Sequence, residues 1–258
     1  MSADNFFDVL GVRVSATNLE LTSRRIEAWI QSKSRQYICV APVATIIDCQ
    51  RDSEYLKVIN QAGLVTPDGM PIVWLGQKTV GPRVQRTYGP DLMMAFCGFS
   101  AAKGYRHFFY GGSEQTNQIL IKTLSETFPG ITIAGSYAPP HIQLHQKERG
   151  DIVEKINASR ADVLWVGLGS PKQDFWMAEH RGRLNAPVLI GVGAAFDFLA
   201  GTKKQAPRWM QRSGLEWLFR LCQEPRRLWK RYLIGNSLFI FLCIKETLFF
   251  SKNKHNKN

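Results

Sequence analysis

The sequence lacks the short motifs that mark the common nucleotide, cofactor and metal sites. There is no G-x-x-x-x-G-K-[ST] loop and no G-x-G-x-x-G fingerprint, which disfavours P-loop nucleotidases and NAD-dependent enzymes. There is also no D-x-D motif, and the nearest stretch, DSE at 52–54, lies in a segment of helical character. The five cysteines show neither CxxC nor Cys/His ligand spacing, which is typical of buried thiols in a reducing compartment. We therefore expect no metal and no cofactor.

Long apolar runs are missing as well. The N-terminal stretch MSADNFFDVLGVRV has no basic region followed by an apolar run, so we expect no signal peptide and a cytoplasmic protein. The apolar segment YLIGNSLFIFLCI at 232–244 has 13 residues. A membrane-spanning helix needs about 20.

What the chain does have is positive charge in one place. The formal net charge is +12, and residues 203–258 carry 13 Lys/Arg against 3 Asp/Glu. Residues 1–202 are nearly balanced, with 20 basic and 18 acidic side chains. A basic tail suits nucleic acid, an anionic membrane or an anionic substrate.

Strand-like and helix-like segments alternate through the first 200 residues. Short runs rich in β-branched and aromatic residues occur at 36–41, 106–111, 131–137, 162–168 and 187–193, and helical periodicity fills 113–128 and 145–159. This alternation predicts an α/β fold, a Rossmann-like and largely parallel sheet with helices on both faces. We expect residues 1–202 to form this catalytic body and residues 203–258 to form a helical, basic C-terminal appendage.

Four polar or glycine-rich segments are expected at the carboxyl ends of the strands, where open α/β sheets bind their ligands. They are TPDGM (66–70), YGGSEQT (110–116), GLGSPKQD (167–174) and GVGAAFDFLAG (191–201). Each alone could be simple turn chemistry, but four on one edge favour a site.

The GLGSPKQD segment suits an anionic ligand. Gly169 allows the backbone to approach a ligand, and Ser170 is expected to cap a helix that begins near Pro171. Backbone N–H groups at that helix start, with Lys172 nearby, suit a phosphate or the polar edge of a nucleotide.

Two aspartates each allow a structural and a functional interpretation. Asp68 in TPDGM either bonds its own turn or accepts a proton from a hydroxyl nucleophile. Asp197 in AFDFLAG either caps the following segment or accepts hydrogen bonds from a ligand. The residues alone leave both alternatives open.

The tail segment GLEWLFRLCQEPRRLWKRYL (214–233) has apolar residues near helical spacing, with arginines and a lysine on the polar side. Pro225 is expected to restart the helix after Glu224. With the apolar run that follows, this favours interfacial attachment to an anionic membrane over a transmembrane helix or a solvated tail. Since the cations interleave with Leu, Trp and Phe, we expect no nucleic-acid partner.

Five long blocks occur in a fixed order: TPDGMPIVW, QRTYGPDL, GLGSPKQDFWM, GVGAAFDFLAGTKKQAPRWMQRSGLEWLFRL and EPRRLWKRYL. In sequence and spacing they resemble the WecG/TagA/CpsF bacterial glycosyltransferases, glycosyltransferase family 26, over about residues 36–233. The resemblance implies inverting transfer of a sugar from a UDP-sugar to a polyprenyl-diphosphate-linked acceptor, at the inner face of the bacterial cell membrane.

The resemblance also implies roles for individual residues. Asp68 matches the proposed base, Arg86 and Gln173 match positions around the sugar donor, and Asp197 matches a nucleotide-binding position. Three tail cations match a set that stabilises the leaving diphosphate without a metal: Arg220, Arg227 and Lys230. Lys230 stands where arginine is usual, and Arg231 is an alternative for that role.

Two departures bear on the sugar. Val43 stands where the family often has asparagine, and Pro139 and Pro140 replace a common Gly-Tyr pair. They favour a hexose donor, as in exopolysaccharide synthesis, over the alternative, a UDP-N-acetylmannosamine or mannosaminuronic acid transferase of the teichoic acid or enterobacterial-antigen type. A non-catalytic nucleotide-sugar-binding partner of an assembly complex is an alternative from another class. The sequence leaves the oligomeric state open, a homo-oligomer included.

Overall fold

A computed structural model describes residues 6–140 and 146–255. Its centre is a six-stranded sheet in which every neighbouring pair is parallel. A separate antiparallel hairpin, β1–β2, precedes the sheet in the chain. The strands are β1 Phe6–Val9, β2 Val12–Ser15, β3 Gln36–Ala41, β4 Leu64–Pro67, β5 Arg106–Gly111, β6 Thr132–Tyr137, β7 Val163–Gly167 and β8 Val188–Gly191. The order across the sheet is β4-β3-β8-β7-β5-β6.

Helices connect the strands and continue into the tail. Those of the body are α1 Leu19–Gln31, α2 Val43–Arg51, α3 Ser53–Asn60, α4 Met70–Val80, α5 Gly89–Ala101, α6 Glu114–Thr127, α7 Gln146–Ala158, α8 Lys172–His180 and α9 Ala195–Leu199. Those of the tail are α10 Arg208–Arg212, α11 Glu216–Gln223, α12 Pro225–Trp229, a π-helical turn Lys230–Ile234 and α13 Gly235–His255. The expected helix restart at Pro225 is confirmed.

The strands are apolar on both faces because helices cover both. In β7, Leu164 and Val166 belong to one buried cluster, and Val163 and Trp165 belong to the cluster on the opposite face. This alternation follows from the two-residue period of a strand. The predicted α/β class, with a parallel sheet covered on both sides, is confirmed.

The helices that follow two neighbouring strands of the sheet lie on opposite faces, and this indicates where a ligand would bind. Strands β3 and β8 are neighbours, but α2, which follows β3, packs into one cluster, whereas α9, which follows β8, packs into the other. In doubly wound sheets the ligand lies at the carboxyl ends of the strands, near the point where the connections change sides, and here that point lies between β3 and β8. The four loop segments at 66–70, 110–116, 167–174 and 191–201 follow β4, β5, β7 and β8 and so lie on this edge.

The tail docks on the body. Phe239 of α13 is 4% exposed within the cluster that contains α2, and Leu238 and Leu242 pack against the same cluster. The opposite side of the segment exposes large apolar side chains: Leu233, Ile240, Phe241, Ile244 and Leu248. Within the described residues, no helix combines the length and the apolar character that crossing a membrane requires.

Candidate active site

A cavity of about 230 Å³ opens at the carboxyl ends of β3 and β4. The body contributes Pro42, Val43, Ala44, Asp68, Gly69, Met70, Pro71 and Arg86. The tail contributes Gln211, Gly214, Glu216, Trp217, Arg220, Arg231, Tyr232, Asn236, Phe239 and Ile240. More than half of the lining therefore comes from the part of the chain that the sequence marks as basic.

Asp68 is placed by backbone hydrogen bonds between strand ends. Its N–H donates to the carbonyl of Ala41 at 3.2 Å, which ties the end of β4 to the end of β3. Gly69 then caps α4, with a proline in the first turn. Thr87 N–H donates to the carbonyl of Pro67 at 2.8 Å, which brings Arg86 beside Asp68.

Arg86 binds Asp68 through several atoms. Its Nη2 lies 2.9 Å and its Nε 3.2 Å from Asp68 Oδ1, and Nε also donates to the Asp68 carbonyl at 2.6 Å. The carboxylate of Asp68 is thus held by arginine and not by its own turn, and no bond of its side chain to the turn backbone is present among the described contacts. The purely turn-forming interpretation of Asp68 does not describe this geometry.

Glu216, from tail helix α11, binds the same arginine. Arg86 Nη2 lies 2.5 Å from Glu216 Oε2, and Nη1 donates to Gln211 Oε1 at 3.2 Å. The side chains of Asp68, Arg86 and Glu216 are 15–16% exposed. One half-buried guanidinium therefore joins a body carboxylate to a tail carboxylate, and all three of its nitrogens have protein partners.

The charges in this cluster oppose and balance one another. Burial, and then the neighbouring Asp68 carboxylate, raise the pKa of Glu216, while Arg86 and Arg220 act in the opposite direction. Burial by itself would lower the pKa of Arg86, but Asp68 and Glu216 raise it above its ordinary value. The guanidinium is therefore always charged, and it compensates two carboxylates.

Aromatic rings continue the cluster towards α9. The Arg86 guanidinium lies 4.1 Å from the centroid of Tyr88, and Arg220 lies 5.8 Å from the centroid of Phe198. The two rings are 6.4 Å apart. Arg220 thus faces the Asp68 cavity and also contacts the residue next to Asp197.

The loop after β7 is arranged around Gln173. Gln173 is 2% exposed, and its Oε1 accepts the N–H groups of Gly169 at 3.1 Å and Gly193 at 3.0 Å. This side chain therefore connects the loop after β7 to the loop after β8. Neither Gln173 nor Gly169 lines the Asp68 cavity, so their predicted contacts with the donor stay predictions.

The expected cap by Ser170 is wrong. Helix α8 begins at Lys172 with Pro171 as its N-cap, and no side chain caps it. The first turn is closed instead by Gln173 N–H, which donates to the Gly169 carbonyl at 2.9 Å. The Ser170 hydroxyl accepts from Gln173 Nε2 at 3.3 Å, so it is used within the loop.

The remaining predicted residues lie apart from Asp68. Asp197 Oδ2 pairs with Lys203 Nζ at 2.7 Å, and its Oδ1 accepts weakly from the Thr202 hydroxyl at 3.4 Å. Arg227 pairs with Glu224 one turn earlier. Lys230 lines a second cavity, and of the predicted diphosphate-binding set only Arg220 faces Asp68.

Sequence reasoning missed Glu216 and Gln211. Both lie inside one of the long blocks quoted above, but the cations of the tail outnumber its acidic residues and dominate its pattern. The available signal was that Glu216 is one of only three acidic residues after position 202. Among the described residues, no three His, Cys, Asp or Glu side chains are grouped as a metal site requires.

Comparison with known proteins identifies the family of the chain. Three relatives carry the name N-acetylglucosaminyldiphosphoundecaprenol N-acetyl-beta-D-mannosaminyltransferase. The protein of Bacillus spizizenii is 30% identical over 205 residues, which is 80% of this chain and 77% of the relative. That of Bacillus subtilis is 32% identical over 183 residues (71% and 69%), and that of Staphylococcus aureus is 26% identical over 237 residues (91% and 90%). The model of the glycosyl transferase WecG/TagA/CpsF family matches residues 7–253, and the chain therefore belongs to that family.

Proposed function

We propose that this glycosyltransferase moves an N-acetylmannosaminyl residue from a UDP-sugar to a saccharide linked to polyprenyl diphosphate, with inversion at the sugar. The names of the relatives support this donor and acceptor better than the hexose donor expected from the sequence. The observation that carries the proposal is the position of Asp68. Its carboxylate lines a cavity that the basic tail closes.

Asp68 is the base in this proposal. Its carboxylate takes the proton of the acceptor hydroxyl as that oxygen attacks C1 of the donor sugar. The bond between C1 and the donor diphosphate breaks on the opposite face, and its electron pair leaves with UDP. Arg86 and Glu216 hold Asp68 in place for this step, because the guanidinium contacts two atoms of Asp68 and is also bound by Glu216 of the tail.

The leaving diphosphate needs positive charge, and tail arginines supply it here. Arg86 is already bonded to three protein side chains, whereas Arg220 and Arg231 line the cavity and have no carboxylate partner within ion-pair distance among the described residues; Arg220 lies over the ring of Phe198. Arginine can form charge-assisted, bidentate bonds to phosphate and so replace a divalent ion. We therefore expect transfer without a metal.

We further propose that the tail lies on the anionic inner face of the cell membrane. Leu233, Ile240 and Phe241 are each at least half exposed, and basic residues precede them in α12 and the π-helical turn. This combination is typical of interfacial helices. Since Ile240 also borders the cavity, attachment through this surface would bring the site to the lipid acceptor.

A hexose donor is the second candidate, and Val43 favours it. Val43 lines the cavity at the start of α2, where the family often has an asparagine. An apolar isopropyl group at that position offers no hydrogen bond to an N-acetyl group. Pro139 and Pro140, the other departure, lie after β6, and the following residues 141–145 lie outside the described part of the chain.

The test is sugar transfer by Asp68→Asn and by Asp151→Asn, a control on the exposed surface of α7. Each variant is given UDP-N-acetylmannosamine or UDP-glucose and a synthetic prenyl-diphosphate-linked N-acetylglucosamine, and UDP release and product are measured. We expect Asp68→Asn to lose at least about 10²-fold in kcat, the usual scale of general base catalysis, and the control to lose nothing. Unchanged turnover in Asp68→Asn would remove it as the base. UDP binding without any transfer by the wild-type chain would favour the non-catalytic alternative.

A further inference from the structure

A second cavity, of about 390 Å³, lies outside the catalytic one. It is formed between α2 of the body, which contributes Asp48 and Arg51, and the start of the last tail segment, which contributes Lys230, Arg231 and Gly235. The proposed transfer step uses neither Arg51 nor Lys230, and Arg231 lines both cavities.

The charge of this cavity favours an anion. Three cations from two separate elements line it, against the single carboxylate of Asp48. Burial raises the pKa of Asp48, while the charges of Arg231 and Arg51 act in the opposite direction, which places both guanidinium groups near that carboxylate. Two positive charges remain in excess, which matches the charge of a diphosphate diester.

The second cavity adjoins the catalytic one. Ala44 and Arg231 line both, so they form a common wall. An anionic group in the second cavity would therefore lie one residue away from the space beside Asp68. A sugar attached to that group could reach into the catalytic cavity.

The outer side of the second cavity is apolar. Ile234 lines it and is 48% exposed, and its neighbours Leu233 and Trp229 are also about half exposed. Exposed apolar side chains next to a cationic cavity suit a ligand with an anionic head and a hydrocarbon chain.

We propose that the second cavity binds the diphosphate of the prenyl-linked acceptor through Arg51, Lys230 and Arg231, with the prenyl chain leaving past Ile234. This inference rests on the proposed function. It assigns Lys230 to the acceptor, leaves Arg220 to the donor diphosphate, and places Arg231 between the two groups, in the wall that the cavities share.

Two variants of the full-length chain test the site without touching Asp68. Arg51→Gln removes a cation at the end of α2. Gly235→Leu adds a side chain at a residue that lines the cavity. A Cβ built at Gly235 meets no atom within 4 Å and the residue has helical backbone angles, so the helix can accept the substitution. Arg226→Gln is the matched control, since it removes an exposed tail cation that lines neither cavity.

Titration calorimetry with farnesyl diphosphate measures ligand binding to this site without the transfer reaction. We expect Arg51→Gln to weaken binding about tenfold or more, the scale of one lost charge-assisted hydrogen bond. Gly235→Leu should weaken binding as well, because its side chain takes space from the ligand, and the control should leave binding unchanged. In transfer assays both variants should raise KM for the diphosphate-linked acceptor and leave KM for the UDP-sugar as it is.

Three results would overturn the inference. Unaltered farnesyl diphosphate binding in both variants would show that the diphosphate binds elsewhere, and an equal rise in KM for the UDP-sugar would assign the cavity to the donor. A defect seen only with phosphatidylglycerol vesicles, and absent with farnesyl diphosphate in detergent, would assign it to a phospholipid head group. If the wild-type chain binds farnesyl diphosphate and the two variants weaken that binding as expected, but the wild-type chain transfers no sugar, the binding site is supported and the proposed function is wrong.

Discussion

Replacing Arg86 by methionine would leave the carboxylates of Asp68 and Glu216 facing each other in a half-buried cavity. Both now bind the same nitrogen of Arg86, at 2.9 and 2.5 Å, so these two oxygens lie no more than about 5.4 Å apart. At an effective dielectric constant of about 20, two unit charges at that separation repel by about 3 kcal/mol. Removing one partner of a buried ion pair costs about 3–5 kcal/mol in general.

We therefore expect Arg86→Met to lower the free energy of unfolding by about 3–5 kcal/mol at pH 8 in urea titrations. The loss should shrink at pH 5. The pKa of Glu216 is already raised by burial and by the charge of Asp68, and it rises further when Arg86 is removed. A group with a raised pKa binds its proton more tightly in the folded chain, so the stability of the variant increases as the pH falls.

Arg208→Met is the matched control. Arg208 also joins the tail to the body, through a 2.9 Å contact with Asp91, but its side chain is 63% exposed. Exposed ion pairs contribute about 0–1 kcal/mol, so we expect a small loss with little dependence on pH. Equal losses in the two arginine variants, or a loss in Arg86→Met that is the same at both pH values, would refute the idea that Arg86 compensates two carboxylates.

Three further measurements follow from the structure. In the proposed mechanism arginines neutralise the diphosphate charge, so transfer should persist in EDTA, and a strict requirement for Mg²⁺ or Mn²⁺ would contradict that assignment. Phe239→Ala should lower the free energy of unfolding by about 3–5 kcal/mol in urea titrations and reduce transfer, because Phe239 is 4% exposed. Phe241 is 61% exposed on the same helix, so Phe241→Ala should lower it little. Similar losses in the two variants would mean that α13 does not dock as described. Burial lowers the pKa of His107 to about 4, so the folded chain favours its neutral form. This contribution to the free energy of unfolding is fully present above pH 6.5, and about 3 kcal/mol of it is lost as the pH falls to 4. His107→Gln should remove that acid sensitivity, and an unchanged acid profile would exclude His107 as its source.

Much of the sheet is predictable from local pattern, for a physical reason. Strands buried on both faces are continuous apolar runs, and β3 and β5 have the bounds that those runs suggest, Gln36–Ala41 and Arg106–Gly111. β4 is less visible, because it has only four residues, Leu64–Pro67, and ends in proline. The β1–β2 hairpin is also short, and its turn uses positive φ angles at Leu10 and Gly11, without the Asn-Gly or Asp-Gly pair that signals such turns.

The candidate site is less predictable, because its members meet only in three dimensions. The aspartate at the end of β4 and the basic tail are both visible in the sequence, but Arg86 joins them over long distances along the chain. It lies 18 residues from Asp68 and 130 residues from Glu216. No local periodicity encodes such a contact. The Ser170 cap failed for a related reason, because Gln173 bonds the two loops and closes the turn that a serine would otherwise cap.

The same geometry gives Glu216, an acidic residue in a basic tail, a structural role. If the tail served only to attract an anionic membrane or to neutralise a diphosphate, a carboxylate beside Asp68 would weaken both roles. Glu216 instead accepts from the same Arg86 nitrogen that binds Asp68, so a tail that is not docked leaves Arg86 and Asp68 without that support. Docking of the tail therefore completes two things together: the lining of the cavity and the hydrogen bonds that hold Arg86 beside the proposed base, Asp68. This would make transfer depend on the state of the tail at the membrane surface.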